Sequence, residues 1–422
     1  MKPQIKGLNI VGYTDGMFGL GEAIRLNIKA AKEVGIPVNL INYEKVKQNT
    51  NYQYSFKYSV NLVQISLMDL ESFFANIDPN FFKKRYSILF LVWESEYIAP
   101  ELAENLNLFN EIWTPSEYCK KIFQKTFSNP IIIVPHPVEI HLDPLPNDYT
   151  INFFDKNKFS FLFLFSYHSS VERKNPLFLI EAFKTAFGDN ENVELIIKTV
   201  GGEQFKQKKR CLNQSISYHK NINIYDINLD KNSINNLINN CDCYISLHHS
   251  EGFGLTLAEA MFLGKPTIAT NYSGNTEFMK ENNSFLVDYE LGLIENPDNN
   301  FCAKTVWANP IMHDTVQNLR EIYKNSTLRL EKANNARIFI KEKLSFYSIG
   351  SIMNNRMTML YDNFDDLVLN QNTYFIDKLQ LAKIETAQLK REIRRMKKNM
   401  VIRFIIILKD TTRKFKKKYN QL

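Results

Sequence analysis

The sequence of 422 residues lacks several features that define specialised classes of protein. Its five cysteines are too few and too scattered for a disulfide framework, and their odd number is typical of a reducing compartment. No segment approaches the roughly 18 consecutive apolar residues of a membrane span. The N-terminal stretch MKPQIKGLNIVGY has neither the apolar run nor the small-residue cleavage site of a secretory signal. We therefore expect a cytoplasmic protein without transmembrane helices.

The sequence also contains no Asp-x-Asp pair. Such a pair brings two carboxylates close enough to hold a divalent cation, so the usual side-chain cage for a catalytic metal is not encoded. Cys241 and Cys243 could supply half of a metal site, but no second pair of Cys or His has a matching spacing. We interpret both as buried thiols at the edge of a strand, and we expect neither a metal ion nor a cofactor.

Charge is distributed unevenly along the chain. The formal net charge is +7, but residues 381–422 hold 14 Lys and Arg against Glu385, Glu392 and Asp410, a net charge of +11. Residues 1–380 therefore carry a net charge of −4. A basic excess confined to one segment argues against a nucleic-acid groove along the body and favours a local electrostatic contact.

Short apolar runs alternate with helical stretches, which is typical of β-α-β units around parallel sheets. The alternation occurs twice, on either side of a polar, proline-containing stretch over residues 136–158. In the first half we predict strands over Leu8–Tyr13, Val38–Tyr43, Ser87–Trp93, Glu111–Thr114 and Ile131–Pro135, and helices over Gly19–Val34 and after the capping residue Ser116. In the second half we predict strands over Phe159–Phe165, Val193–Val200, Ile222–Tyr225, Cys243–His248 and Thr267–Thr270, and helices over Pro176–Phe187 and Leu255–Leu263.

This pattern predicts an α/β protein of two doubly wound, Rossmann-like domains that face each other across a cleft. The expected domains cover residues 1–145 and 146–345, followed by a helix over 346–370 and a tail over 371–422. Ligands of such sheets bind where the strand-end loops meet, so we expect the functional site in the cleft.

The most informative stretch covers residues 246–279. Glu251 lies in the loop after a predicted strand, and Glu259 lies eight residues further on, inside the next helix. Gly252 and Gly254 allow the backbone to come close to a ligand. The positive end of the helix dipole favours an anion such as phosphate at the first backbone amides of this helix, which belong to Phe253, Gly254, Leu255 and Thr256.

The two glutamates resemble an element of the retaining glycosyltransferases of family 4, which have the GT-B fold and carry two glutamates separated by seven residues. Further motifs extend the resemblance in order over about residues 8–360. They are GLGEAIR at 19–25, WE at 93–94, EIWTPS at 111–116, PHPV at 135–138, RKNP at 173–176, TNYSGN at 270–275 and SFLVDYE at 284–290.

The resemblance implies that the second domain binds the nucleotide-sugar donor and that the helix over 346–370 returns to the first domain. Glu251 would contact the donor sugar near the reacting centre, and Glu259 would hydrogen-bond the ribose. Arg173 and Lys174 would neutralise the departing diphosphate. This fits glycosyl transfer, because a carboxylate beside the sugar stabilises an oxocarbenium-like transition state.

In the first domain, which would bind the acceptor, the resemblance implies that Gly19 and Gly21 bring backbone amides to the donor phosphate. The stretch fails as a dinucleotide fingerprint because Ile24 stands where a third glycine is required. Trp93 and Glu94 could line the acceptor site, with Glu94 as a base. The alternative is a buried tryptophan beside a solvent-facing glutamate.

Three positions depart from the family pattern. His249 stands where related sequences commonly have Arg, Ser166 opens a segment that usually begins with Asp, and Ile311 follows Trp307-Ala-Asn-Pro310 where Asp is usual. The first departure changes the charge expected in the donor or acceptor pocket.

The tail combines two features. Apolar or small residues fall alternately three and four apart over about four heptads, which predicts a coiled-coil seam made of Phe375, Leu379, Ala382, Thr386, Leu389, Ile393, Met396 and Met400. The apolar run 401–408 follows, and then Arg413, Lys414 and residues 416–418, all lysine. An apolar face with flanking cations is typical of a helix that lies on an anionic membrane, whereas a charged coiled-coil end or a disordered tail is the alternative.

We therefore expect a metal-independent retaining glycosyltransferase on the inner face of the cell membrane. Its partners would be a nucleotide-sugar, a lipid-linked or surface-polysaccharide acceptor, the anionic membrane surface through residues 381–422, and a second copy of the chain through the coiled coil. The sequence leaves two alternatives open: a GT-B epimerase or phosphorylase, and a non-catalytic membrane-associated assembly subunit.

Overall fold

The computed structural model describes residues 5–48, 51–144, 153–294, 305–370 and 381–395. Two six-stranded sheets with helices packed against them form two domains, and a small two-stranded antiparallel sheet belongs to the second. Neighbouring strands in both large sheets run parallel. The predicted class, an α/β protein with two doubly wound domains, is confirmed.

The sheet of the first domain has the strand order β2-β1-β3-β4-β5-β6. Its strands are β1 Leu8–Gly12, β2 Val38–Asn42, β3 Val60–Gln64, β4 Tyr86–Phe90, β5 Glu111–Thr114 and β6 Ile131–Ile133. Its helices are α1 Gly19–Glu33, α2 Tyr43–Gln48, α3 Leu70–Asn76, α4 Pro100–Ala103 and α5 Glu117–Phe123. As predicted, Ser116 caps α5, since its hydroxyl oxygen accepts a hydrogen bond from the Cys119 amide.

The sheet of the second domain has the strand order β12-β11-β10-β7-β8-β9. Its strands are β7 Phe159–Ser166, β8 Val193–Val200, β9 Ile222–Asp226, β10 Cys243–Ser246, β11 Thr267–Thr270 and β12 Phe285–Val287, and β13 Tyr289–Leu293 pairs with β14 Val306–Pro310. Its helices are α6 Val171–Lys174, α7 Pro176–Phe187, α8 Lys206–Ser215, α9 Lys231–Asn240, α10 Leu255–Phe262, α11 Met312–Lys324 and α12 Ser326–Lys343. Cys241 and Cys243 are buried free thiols at β10, as expected.

The prediction missed β3, which lies in the middle of the first sheet between β1 and β4. Asn61 and Gln64 interrupt its apolar pattern, and both are buried. Asn61 is paired inside the core, since it donates to Ser87 at 3.1 Å and accepts from Asn9 at 3.0 Å, and Gln64 Oε1 accepts from Asn27 at 3.0 Å. Because buried amides are tolerated when they are hydrogen-bonded, this strand does not need an apolar sequence.

A last long helix, α13 Phe346–Asp362, packs against α1 of the first domain. A Cβ atom at Gly350 would overlap the carbonyl oxygen of Ala30, so the two helices touch through their backbones. Arg356 of α13 forms a bidentate ion pair with the fully buried Glu111 of β5. These contacts attach the C-terminal helix firmly to the first domain.

Residues 381–395 are helical and also contact the first domain. Ile384 and Ala387 are buried in the same hydrophobic cluster as Phe73 and Phe74. The parts of the predicted seam and basic segment over 371–380 and 396–422 lie outside the described residues. No helix in the described ranges is both long and apolar enough to cross a membrane.

Candidate active site

The strand order of each sheet directs the predicted site residues to one cleft. In the second domain the order reverses between β7 and β10, which is the point where open α/β sheets bind ligands. The segment after β7 carries Arg173 and Lys174, and the loop after β10 carries Glu251. In the first domain the order reverses between β1 and β3, and the loop after β1 leads to Gly19.

Glu251 is the centre of a buried ion cluster. Its carboxylate accepts from Lys174 Nζ and lies 2.9 Å from Arg173 Nη1. Its backbone amide donates to Ser273 Oγ at 2.8 Å, which fixes the loop after β10. Only 7% of Glu251 is exposed, so this cluster is held in a medium where charges interact strongly.

The neighbouring cations decide the protonation state of Glu251. Burial acts to raise the pKa of its carboxyl, but the charges of Lys174 and Arg173 outweigh burial and hold that pKa well below the ordinary range. Burial also lowers the pKa of Lys174, and the charge of Glu251 partly offsets the effect. The site therefore keeps a fixed carboxylate and two cations side by side at neutral pH.

Local sequence explains why the two cations face the cleft. Ser170 caps the single turn of α6, since its hydroxyl oxygen accepts from the Arg173 amide. Asn175 then adopts a left-handed conformation at φ 57°, which asparagine tolerates, and Pro176 begins α7. The side-chain amide of Asn175 donates to the Leu247 carbonyl at 3.0 Å and ties this turn to the loop after β10.

Arg173 connects the two domains. Its Nη2 lies 3.6 Å from Glu94 Oε1 of the first domain, while Nη1 donates to the Ser250 carbonyl at 2.7 Å. The side chain of Glu94 is 31% exposed, whereas the neighbouring Trp93 is buried. Trp93 therefore packs in the core, and the carboxylate of Glu94 lies beside Arg173.

The loop between Glu251 and α10 also contacts the first domain. The Gly252 carbonyl accepts from Ser116 Oγ at 2.7 Å, and a Cβ atom at Gly252 would overlap Val92 Cγ1. Gly254 has φ 89°, a conformation that glycine adopts without strain, and it precedes the first residue of α10. The backbone therefore turns sharply between the domains and presents the amides of Phe253, Gly254, Leu255 and Thr256 at the start of the helix.

Glu259 lies on α10 and is not part of the Glu251 cluster. It is buried and ion-paired with Lys231 at the start of α9. Burial raises the pKa of Glu259, the charge of Lys231 opposes that rise, and Glu22 of the first domain adds to it. Sequence reasoning missed Lys231, although the capping residue Asp230 marks the start of the helix that carries it.

The two glycines of α1 have different surroundings. A Cβ atom at Gly21 would overlap the carbonyl oxygen of Gly16, so this glycine permits a close approach of two backbone segments. At Gly19 a Cβ atom would meet no heavy atom within 4 Å. Arg25 holds the loop before α1, since its Nη1 donates to the Gly16 carbonyl at 2.7 Å. Gly19 therefore begins α1 beside open space.

Of the two histidines that precede Glu251, His248 is buried and His249 is half-buried. His249 stacks on Trp307 with a centroid distance of 4.1 Å, and its Nδ1 lies 2.6 Å from the Ala308 carbonyl oxygen. Burial lowers the pKa of His249 to about 4 and that of His248 to about 3. At the position where the resemblance predicts an arginine, this chain therefore has a ring that is neutral at neutral pH.

A further set of contacts joins the domains beside Glu94, and no sequence motif indicates these contacts. Tyr272 Oη donates to Glu96 Oε1 at 2.7 Å and its ring packs against Tyr118. Ser95 Oγ lies 3.2 Å from Thr305 Oγ1, next to strand β14. Second-domain residues therefore hold Ser95 and Glu96, the two residues directly after Glu94.

Comparison with known proteins supports the architecture. The model of the family described as Glycosyl transferases group 1 matches residues 150–291, about a third of the chain, and this region includes Arg173, Lys174, Glu251 and Glu259. No curated protein sequence matches the chain significantly.

Solved structures show the fold. Anabaena HepE in complex with UDP-glucose is 12% identical and has a TM-score of 0.61, with 84% of this chain and 100% of that chain covered. Sucrose-phosphate synthase from Thermosynechococcus elongatus is 11% identical and has a TM-score of 0.61, with 85% of this chain and 100% of that chain covered. A mutant of S. aureus TarM in complex with UDP is 17% identical with a TM-score of 0.52, and this chain spans 55% of its length. The chain therefore has the GT-B fold of two Rossmann-like domains.

Proposed function

We propose that the protein is a retaining glycosyltransferase that moves a sugar from a nucleotide-sugar donor to a lipid-linked or surface-polysaccharide acceptor. The observation that carries this proposal is the position of Glu251 between Lys174 and Arg173 in the cleft of a GT-B fold. The family match over residues 150–291 supports it, because these residues lie inside that match.

The arrangement suits the charge changes of glycosyl transfer. As the bond between the sugar and the diphosphate breaks, its electron pair leaves with the diphosphate and positive charge develops on the sugar ring. Arg173 and Lys174 stabilise the diphosphate, and the fixed carboxylate of Glu251 stabilises the sugar. The acceptor hydroxyl then bonds to the anomeric carbon on the face the diphosphate left, and its proton passes to Glu94 or to a diphosphate oxygen.

We propose a uridine nucleotide as the first donor to test. HepE was solved in complex with UDP-glucose, and the TarM mutant was solved in complex with UDP. In this chain Glu259 would hold the ribose, since it is the buried carboxylate on α10, and its ion pair with Lys231 keeps it oriented.

The test is thermal stabilisation of the full chain by a panel of nucleoside diphosphates. A donor-specific enzyme responds to one base, and Lys174→Ala weakens that response. Lys208→Ala serves as the control, because Lys208 forms only a partly exposed ion pair with Glu172 at 2.8 Å. Absence of any response would favour the non-catalytic assembly subunit. A response without sugar transfer would favour the epimerase or phosphorylase.

We further propose that the reaction needs no metal ion, because Arg173, Lys174 and the start of α10 offer positive charge to the leaving group. Turnover should persist when a chelator is added. Complete loss of activity that a divalent cation restores would contradict this part of the proposal.

The basic segment after Arg395 is proposed to hold the enzyme at the inner, anionic face of the cell membrane. Each basic residue near such a surface contributes about 1 kcal/mol, and the attraction weakens at high salt. Because Ile384 and Ala387 pack in the core, the deletion that tests this begins at residue 396. The truncated chain should no longer float with anionic vesicles, whereas undiminished flotation would contradict membrane attachment by this segment.

A further inference from the structure

The helix of residues 381–395 has two faces with different surroundings. Ile384 and Ala387 are buried against the first domain, and Arg391 Nη1 donates to the Ala75 carbonyl at 3.3 Å. On another face Ala382, Thr386, Leu389 and Ile393 are all exposed, with 60% of Leu389 and 51% of Ile393 accessible. The helix is therefore anchored by one side and presents an apolar stripe on the other.

The exposed stripe coincides with the seam of a heptad repeat. Ala382 and Leu389 occupy d positions, and Thr386 and Ile393 occupy a positions, with spacings of four, three and four residues. In the same register Ile384 is an f residue and Ala387 is a b residue. In a two-stranded coiled coil a and d face the partner helix, whereas b and f face outward. The first domain thus docks on the outer side of the helix and leaves the seam uncovered.

We propose that this stripe joins two copies of the chain as a parallel two-stranded coiled coil. Ile or Val at a with Leu at d favours two parallel strands. Ile393 at a and Leu389 at d fit this preference.

Charge complementarity supports the parallel direction. A g residue of one helix meets the e residue five positions further on in the other helix of a parallel pair. Glu385 occupies g, and the e residue that it meets on the second copy is Lys390. Lys390 has only an exposed ion pair of 3.4 Å with Glu71. The sequence repeats the pattern with Glu392 at g and Lys397 at e, the latter outside the described residues.

The parallel direction has a consequence for membrane attachment. Both copies continue from Arg395 into the basic segment at the same end of the coil. Two linked weak contacts bind a surface far more tightly than either one alone. Pairing does not require the proposed transferase activity, so its test is independent of that proposal.

The experiment measures the mass of the full chain in solution by light scattering after gel filtration. One chain has a mass of 49.4 kDa, so the dimer has a mass of about 99 kDa, close to twice that value. The variant Leu389→Glu with Ile393→Glu should run as a monomer, because it places charge in the seam. The control makes the same changes at exposed residues of α12, Leu330→Glu with Ile338→Glu, and should remain a dimer.

A charge exchange tests the direction of pairing. Glu385→Lys with Glu392→Lys should weaken the dimer at least tenfold, and adding Lys390→Glu with Lys397→Glu should restore it. Leu389→Cys should cross-link two copies through residue 389 under mild oxidation beyond the level of the wild type, since identical d residues meet only in a parallel pair.

Several outcomes would overturn the inference. The wild type could be a monomer at all concentrations, or it could form a trimer. The dimer could also survive the Leu389→Glu and Ile393→Glu changes, or the added Lys390→Glu and Lys397→Glu changes could fail to restore it. If the wild type is a monomer and the same changes abolish vesicle binding, the stripe is a membrane face instead.

Discussion

At the scale of single residues, the site depends on a balance of buried charges. Glu251 offsets two cations, and Glu94 contacts one of them from the opposite domain. Removing one of these charges is costly, because the buried charge that remains has lost its hydration and no longer has a partner. A donor diphosphate entering the cleft would supply new countercharge to Arg173 and Lys174, and Glu251 would then be free to face the sugar.

The first prediction concerns Glu251→Gln. The amide keeps the shape of the side chain but cannot stabilise positive charge on the sugar, so transfer should fall by about 10²-fold or more. Initial rates measured on variants with unchanged circular dichroism check this. The control is Glu203→Gln, whose carboxylate pairs with Lys209 on the surface, and near-normal transfer by Glu251→Gln would show that the pocket is misplaced.

A second prediction concerns pH. His136 is buried between the rings of Phe90 and Phe253, and burial lowers its pKa to about 3 from the ordinary value of 6.5. Below pH 6.5 the unfolded chain therefore binds a proton that the folded chain cannot, and stability falls as pH decreases. The histidine accounts for a loss of about 1 kcal/mol in the free energy of unfolding between pH 7 and 5.5.

The measurement compares urea unfolding of the wild type and His136→Phe at both pH values. The variant should lose about 1 kcal/mol less than the wild type over this range. The same change at the exposed His141 should leave the pH dependence as it is. Identical pH profiles for His136→Phe and the wild type would contradict the burial of a neutral His136.

Residue patterns predicted most residues of the candidate site, but not the side chains that form ion pairs and hydrogen bonds with some of them. Glu251, Arg173 and Lys174 follow strands that the apolar runs reveal, so their placement at one sheet edge could be anticipated. The pairing of Glu259 with Lys231 and the contact of Glu96 with Tyr272 depend on how separate elements pack. No periodicity within a single segment encodes such contacts.

At the scale of elements, most strands were predictable from their apolar residues, but β3 and the strands from β12 to β14 were not. Phe159–Ser166 and Val193–Val200 are neighbouring strands of the second sheet, and six and five of their eight residues, respectively, are apolar. Strand β3 was missed because the polar residues Asn61 and Gln64 interrupt its apolar run. Inside the core, Asn61 bonds to other buried side chains and Gln64 Oε1 accepts from Asn27 at 3.0 Å. The packing of helix 381–395 against the first domain was also not predicted. Its heptad pattern assigns Ile384 to an f position, which faces solvent in a coiled coil, but Ile384 is buried.

The start of α1 provides a third prediction. Gly21→Ala should destabilise the protein by about 1–3 kcal/mol, because a methyl group there would overlap the Gly16 carbonyl oxygen and the backbone would have to move. Gly19→Ala should leave stability unchanged or raise it by up to about 1 kcal/mol, since its surroundings are open and alanine restricts the unfolded chain. Thermal unfolding of the two variants checks the difference.

Gly19→Ala also tests where the donor phosphate binds. If the phosphate approaches the first amides of α1, the added methyl group should weaken binding of the nucleoside diphosphate while the fold remains stable. Equal affinities of Gly19→Ala and the wild type would indicate that the phosphate does not reach this turn.

At the scale of the whole molecule, the two domains meet at the same residues that line the cleft. Ser116 donates to the Gly252 carbonyl, Arg173 faces Glu94, and Tyr272 donates to Glu96. Movement of one domain against the other would therefore displace the candidate site directly. Helix α13 follows the second domain in the chain and is fixed to the first domain by the ion pair of Arg356 with Glu111.

The basic C-terminal segment has a defined place in the whole molecule. The net charge of +11 over residues 381–422 lies apart from the cleft residues in sequence, and helix 381–395 is fixed to the first domain. The proposed membrane contact is thus attached to the domain expected to bind the acceptor. An acceptor carried on a lipid would then approach from the same side as the membrane.

The most direct measurement follows sugar transfer itself by NMR. The wild-type chain is incubated with each of a panel of nucleotide-sugars and a membrane extract as the source of acceptor. We predict that one donor releases its nucleoside diphosphate and that the new glycosidic bond keeps the anomeric configuration of the donor. Transfer from no donor, or a product of inverted configuration, would contradict the assignment of a retaining glycosyltransferase.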